Sequence, residues 1–342
     1  MKIFFGAAAF LAVAAAFVQG APLSEFIFDK APFPSSHAST VVELRNGNIM
    51  AAWFGGTAED NPDVGIWASV RSKAGWSTPV EMAKEPDIAA YNPVLFYTKN
   101  HRLWLYYKFG PHPKAWTGAR RWSDDDGKTW SAVEHLPAGL YGPIRAKPLV
   151  LPDGVVISGT SVESYGSWAC WIERSTDDGK TFSRIGPISV PGMTQNNTSR
   201  SLGIIQPTVI PLSGKHLRLY ARSTGQIGHI CAADSYDNGS TWSQAHPLEL
   251  PNPNAGIDAV ALHDDRIVLV YNDTPKGRTP LNLAISHDGE HFQMFHTLES
   301  EPGEFSYPDM VVAHNGDLLI TYTWKREKIK FVRFPAAEIP KP

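Results

Sequence analysis

The sequence predicts an all-β chain built from repeated units of about four short strands. Three observations carry this. A turn motif recurs, and its closing aromatics fall roughly 50 to 60 residues apart, the period expected of propeller blades. Apolar or alternating runs precede each copy, bounded by Gly, Asn, Asp and Pro. No apolar stripe of helical period and helix length occurs after the first 20 residues.

The motif reads "SDDDGKTW" from Ser123, "STDDGKTF" from Ser175 and "SYDNGSTW" from Ser235. A shortened copy, "SHDGEHF", starts at Ser286, and a remnant without the aspartate, "RSKAGWS", starts at Arg71. The closing aromatics are Trp76, Trp130, Phe182, Trp242 and Phe292. The preceding runs include "LWLYYKF", "GVVISG", "HLRLYARS" and "RIVLVYND". Asp and Asn bond their own backbone and stabilise tight turns. Gly supplies positive φ, and the aromatic buries itself between neighbouring sheets. A calcium loop needs more oxygen ligands and a closing glutamate, which these boxes lack. The boxes read as scaffold, and no metal or cofactor is expected, since no His/Cys/Asp cluster has ligand spacing.

The first residues, "MKIFFGAAAFLAVAAAFVQG", carry Lys2, an apolar run and small residues before Ala21. They read as a signal peptide over residues 1–20, with one domain over 21–342 and a secreted or periplasmic location. No later segment reaches membrane-spanning length. Charge is balanced, with 31 basic and 34 acidic residues and a net of -3. No Lys/Arg stripe argues for a nucleic-acid partner. The 11 tryptophans suit either a β-rich core or stacking on sugars. Cys170 and Cys231 are too few for a disulfide framework, and whether they pair stays open. Sequons stand at Asn196, Asn197, Asn238 and Asn272, meaningful only in a eukaryotic host.

The boxes resemble the Asp-box, the bacterial neuraminidase repeat of sialidases, over nearly the whole chain after residue 20. The resemblance implies a six-bladed β-propeller with boxes on the rim away from the active centre. It implies that the last blade, ending in "IKFVRF", closes with a strand near "EFIFD". Sialidases grip a substrate carboxylate with three arginines, attack with a Tyr/Glu pair and use an Asp as acid/base. Carried over by motif, "LRLYARS" is similar to the second arginine segment and places Arg222. "VYNDTPKGRTPLNLAIS" places Arg278, and "EFSYPDMV" places the nucleophile, Tyr307.

The pattern then departs. Where the first arginine belongs, "SSHASTVVELRNGNIMAAWFGG" carries His37. Where the glutamate belongs, "GIIQPTV" carries Gln206, whose neutral amide cannot take the tyrosine's proton. For the acid, "WFGGTAEDNPDVGIWAS" offers Asp63 first, with Asp60 and Glu59 as alternatives. "WFGGT", "NPVLF", "YYKFG", "GIIQP" and "YTWKR" are similar to the predicted-neuraminidase branch of the superfamily, which lacks the full catalytic set.

Further polar groups stand next to strand ends: Asn92, Lys108, His112, Trp116, Arg145, Lys147, Glu163 and Trp168. Asn92, Lys108, Arg145, Lys147, Glu163 and Gln206 are expected to bind substrate, with Arg145 and Lys147 in place of the lost cationic arm. Three functions follow. The first is an exo-glycosidase of sialidase type, with Tyr307 as nucleophile and Asp63 as acid. The second is a polysaccharide lyase cleaving beside a uronate, with His37 and Tyr307 as base and acid. The third is a propeller that binds carbohydrate without turnover. In each the partner is an acidic glycan, because Arg222 and Arg278 suit a carboxylate.

Overall fold

The computed structural model describes residues 21–164, 166–193 and 202–341. The segment read as a signal peptide, and Asn196 and Asn197, lie outside the described residues. Apart from two short 3-10 turns at Pro113–Ala115 and Ala336–Glu338, the regular structure there is all strand. No helix among the described residues is long and apolar enough to cross a membrane.

Hydrogen bonding divides the described strands into six antiparallel units in chain order. The first runs through Ser35–Glu43, Ile49–Gly56 and Gly65–Ser72, with Gly75–Trp76 and Val80–Ala83 outside. The second holds Ala90–Tyr97, Leu103–Phe109, Thr117–Ser123 and Glu134–His135. The third holds Leu149–Val150, Val156–Ser164, Ser167–Ser175 and Ser183–Ile188. The fourth comprises Leu202–Pro211, Leu217–Ser223, His229–Ser235 and His246–Pro251. Two parallel pairings, Ser167 with Leu202 and Trp168 with Gly203, join it to the third. The fifth runs from Asp258–Ala261 to Gln293–Glu299. The sixth, Phe305–Val312, Leu318–Trp324 and Lys328–Phe334, takes its fourth strand from the N-terminal Leu23–Phe26, which pairs with Lys330 to Arg333.

The core lies between units. One cluster joins the first and second units through Phe54, Ala68, Tyr91 and Leu105. Others join second to third, third to fourth, fourth to fifth and fifth to sixth. A further cluster packs Val41 and Trp53 of the first unit on Leu319 and Phe331 of the sixth. Trp53 and Trp104 are buried in this packing, which gives those tryptophans to the core. Cys170 and Cys231 are free, buried thiols of one cluster.

The box turns are bonded as their residues predict. Ser123 Oγ donates to Asp125 (2.7 Å) and accepts the Gly127 amide (2.8 Å), while Asp125 accepts both the amide and the hydroxyl of Thr129. The same pattern recurs around Asp177 and Asp237. Asn272 is buried and donates to the carbonyls of Pro280 and Phe305, so its sequon is closed in the folded chain.

A second repeat sits on the inner strands. Four of them break register at one place, between His37 and Thr40, Tyr91 and Val94, Ile205 and Thr208, and Ser306 and Asp309. In each the first unpaired residue has positive φ: Ala38 (47°), Asn92 (42°), Gln206 (55°) and Tyr307 (51°). Proline follows in three, at Pro93, Pro207 and Pro308. Proline cannot serve a ladder and is confined within sheets to edges and bulges. A bulge re-aims the side chain it carries. Asn92, Gln206 and Tyr307 therefore hold equivalent positions on three units.

Candidate functional site

Tyr307 is the centre of the arrangement that these bulges make. Its hydroxyl accepts a 2.8 Å hydrogen bond from Arg222 Nη1. The guanidinium carbons of Arg145, Arg222 and Arg278 lie 5.5, 5.6 and 5.4 Å from its ring centroid. The His37 ring meets it edge-on at 4.6 Å. Arg222 is fixed by Asn254 Oδ1 at 2.7 Å and by Gln206 Oε1 at 3.1 Å. Gln206 thus accepts from the arginine and takes nothing from the tyrosine. His37 Nδ1 bonds Thr323 Oγ1 at 3.1 Å, and its buried Nε2 has no partner.

Arg278 donates to Glu304 at 2.8 Å, and Arg326 Nε donates to the same carboxylate at 3.0 Å. Arg326 Nη1 reaches Glu59 at 2.7 Å. The Arg326 carbonyl accepts the Ser36 amide, next to His37. A fourth guanidinium therefore acts on His37, and it comes from the turn after the Leu318–Trp324 strand.

The charges act on the two rings in opposite senses. Burial pushes the Tyr307 phenol up, but Arg222 and Arg278 favour the phenolate more strongly, and its pKa falls below 10 although Glu59 and Glu163 oppose. Burial first, then Arg326, Arg278, Arg145 and Arg222, hold His37 well below 6.5, so it is neutral. Burial raises Glu163, Glu59 reinforces this, and Arg222 opposes it. Glu163 thus shares the electrostatic field of Tyr307 and Arg222 and favours its protonated form more than an ordinary glutamate does.

Of the residues expected from sequence, Tyr307, Arg222, Arg278, Gln206 and His37 come together, with Glu163 in their field. Asp63 does not join them. Its carboxylate accepts the Thr57 amide and hydroxyl at 2.8 and 2.6 Å, and the hydroxyl bond leads in holding it below its usual range. A carboxylate so held has no proton to give at neutral pH. Of the alternatives, Asp60 accepts the Tyr91 hydroxyl at 2.6 Å and Glu59 pairs with Arg326.

Arg145 also faces the Tyr307 ring, while Lys147, Lys108 and Asn92 are held by Asp309 and by the carbonyls of Pro143 and Ile144. Arg145 and Lys108 are fully buried, and burial pushes the Lys108 ammonium down to about 7. Asn92 donates to the Ile144 carbonyl at 3.2 Å. Lys147 pairs with Asp309 and borders a cavity of 290 Å³ towards the other end of the inner strands, lined by Val209, Val260 and Met310. Of the two expected cations, Arg145 thus reaches the Tyr307 ring from a fully buried position and Lys147 is paired with Asp309. Arg326, Glu304 and Asn254 were missed because each reads as an ordinary turn residue. The only sequence signal for Arg326 was the "YTWKR" similarity. Among the described residues, no group of three His, Cys, Asp or Glu is placed to hold a metal.

The BNR repeat-like domain family matches residues 47–320. The fold is similar to the NanB sialidase of Streptococcus pneumoniae, with 12% identity and a TM-score of 0.73 over 92% of this chain and 71% of that one. It is similar to a protein of unknown function from Dyadobacter fermentans, with 17% identity and a TM-score of 0.74 over 91% and 97%. It is also similar to the intramolecular trans-sialidase of Ruminococcus gnavus, with 14% identity and a TM-score of 0.71 over 93% and 98%. At these identities the likeness is one of fold.

Proposed function

We propose, from the premise that this chain belongs to the BNR repeat-like domain family, that it is a glycan-cleaving enzyme of sialidase type acting on a terminal sugar that carries a carboxylate. The observation that carries this reading is the Tyr307 hydroxyl, bonded to Arg222 and flanked by Arg278. The fold is read as a six-bladed β-propeller. The cyclic order of the core clusters and the N-terminal strand completing the sixth unit support closure. Export by residues 1–20 belongs to the same reading.

Arg222, Arg278 and Arg326 hold the carboxylate, a task for which planar guanidinium forks are suited. Tyr307 loses its proton to solvent, and Arg222 stabilises the phenolate in place of the missing glutamate. Phenolate Oη attacks the anomeric carbon. The bond to the leaving oxygen breaks with its electron pair, and that oxygen takes a proton from Glu163. Water then attacks the same carbon, returns a proton to Glu163 and frees Tyr307. Two displacements retain configuration.

A second reading is favoured by the unpartnered Nε2 of His37 beside Tyr307. A neutral imidazole there suits removal of the proton alpha to a uronate carboxylate, which expels the neighbouring oxygen by elimination. One screen separates the two. The protein is incubated with sialosides, glucuronides and acidic plant and algal glycans, and products are read by mass and ultraviolet absorbance. Hydrolysis adds water. Elimination adds none and creates an absorbing unsaturated sugar. Glycan binding without turnover of any of these overturns both. Tyr307→Phe is expected to lower kcat/KM by about 10³-fold or more, and unchanged turnover sinks the nucleophile role.

A further inference from the structure

The third unit has the shortest inner strand, Leu149–Val150, and residues 141–148 before it form no strand at all. These residues are nonetheless buried from Gly142 to Ala146. Side chains of other strands hold them along their length. Glu173 accepts the amides of Tyr141 and Gly142 at 3.0 and 2.7 Å. Lys108 donates to the Pro143 carbonyl, and Asn92 to that of Ile144. Gly142, at φ 65°, lies where a Cβ would meet the Tyr106 ring at 2.4 Å, so only glycine fits.

This anchored segment delivers Arg145 to the back of Tyr307. Arg145 Nη2 donates to the Pro308 carbonyl, Nη1 lies 3.6 Å from Asp309, and the guanidinium faces the Tyr307 ring. The next residues of the bulge are held as well. Asp309 accepts Lys147 and the Val41 amide, and Asp258 accepts the Met310 amide at 2.8 Å. Two features need explaining. Tyr307 is a bulky residue at positive φ before a proline, a conformation that persists only when its surroundings impose it. Arg145 is wholly buried with Nε and Nη1 unbonded, which costs folding energy that a well-packed apolar residue would not.

We propose that Arg145 is a positioning residue for Tyr307. From the side that substrate does not reach, it fixes the bulge that brings the phenol to Arg222. Its catalytic consequence rests on the reading of Tyr307 as the reacting group, whereas its effect on Tyr307 itself does not. The chain without its first 20 residues is compared with Tyr307→Phe, Arg145→Met, Arg145→Lys and Asp309→Asn by titrating tyrosinate absorbance. Tyr307 is pushed below 10, while Tyr91, Tyr97, Tyr107 and Tyr220 are pushed up, and the difference from Tyr307→Phe isolates its phase. In Arg145→Met that phase moves to higher pH, and Arg145→Lys restores part of the shift. Asp309→Asn, which loosens the same bulge, moves it in the same direction and serves if Arg145→Met does not fold.

Loss of the Arg145 cation raises the phase by charge alone, whereas loss of the Asp309 carboxylate by charge alone lowers it, so a phase that does not rise in folded Asp309→Asn overturns the proposal. On a glycoside that the wild type turns over, Arg145→Met lowers kcat by about 100-fold with KM nearly unchanged. If the wild type turns over none, the catalytic reading fails and the titration still decides the positioning role.

Discussion

Tyr307 shows how one residue acquires a property that its neighbours of the same type lack. Most buried tyrosines here are pushed up by desolvation, and several face carboxylates, as Tyr107 faces Glu85. Tyr307 faces guanidinium groups, and at this site charge outweighs burial. Burial, reinforced by Arg326, Arg278, Arg145 and Arg222, keeps His37 neutral. In the unfolded chain His37 titrates near 6.5, so below that pH the unfolded state binds a proton that the native state refuses. Its contribution to stability is present above about pH 6.5 and is lost as pH falls. Asp258 acts in the opposite sense. Burial and Asp309 raise it to about 6, so its contribution is present in acid and is lost as pH rises through that value. The expected outcome is that His37→Asn flattens the acid-side loss of stability relative to wild type, measured by denaturant midpoints from pH 5 to 7. An unchanged slope counts against a buried neutral His37.

Two repeated elements divide the labour, and the second and fourth units carry both. The Ser/Asp box ties the outer hairpin, and the positive-φ bulge aims the inner strand. The box is legible because its residues bond one another within a few positions, as Asp177 does with Ser175, Lys180 and Thr181. Asp177→Ala is expected to lower Tm by about 2–4 °C and to leave the tyrosinate phase of Tyr307 unmoved, since the turn touches none of the site. A shifted phase would show that the box couples to the site. The bulge was less legible. "YNPV", "IQPT" and "SYPD" share only a proline, and the residue before it is Asn, Gln or Tyr. Their equivalence is one of backbone conformation. For the same reason Asp63 reads as an acid: an aspartate after Pro62 has one appearance whether its carboxylate is free or, as here, accepts from Thr57.

At the scale of the whole molecule the first and last units depend on a short N-terminal strand. Leu23–Phe26 covers the edge of Lys328–Phe334, and Glu25 accepts Arg71 and Trp76 of the first unit at 2.5 and 2.8 Å. Ile27 and Phe28 follow into the core, where Phe28 stacks on Trp53 at 5.1 Å. Their two side chains together bury about 4 kcal/mol of apolar contact. Deleting residues 21–28 is therefore expected to lower Tm by about 10 °C and to expose a strand edge that promotes association. Thermal melts with light scattering check both, and an unaltered melt would show that the N-terminal strand is dispensable.

The sequence by itself determined the all-β class, the repeat and its turns, because alternation and turn chemistry act over a few residues. Its resemblance to sialidases marked His37 and Gln206 as the places where an arginine and a glutamate are expected. Only the tertiary structure decided which charges face Tyr307. Arg222, Arg278 and Arg326 come from different strands and a hairpin turn, and Glu59 meets Arg326 across 267 positions of chain. It also buried Arg145 and Lys108 and paired Lys147 with Asp309. The physical reason is that burial and Coulomb interaction depend on distance through space, and residues this far apart in sequence approach one another only once the six units have packed.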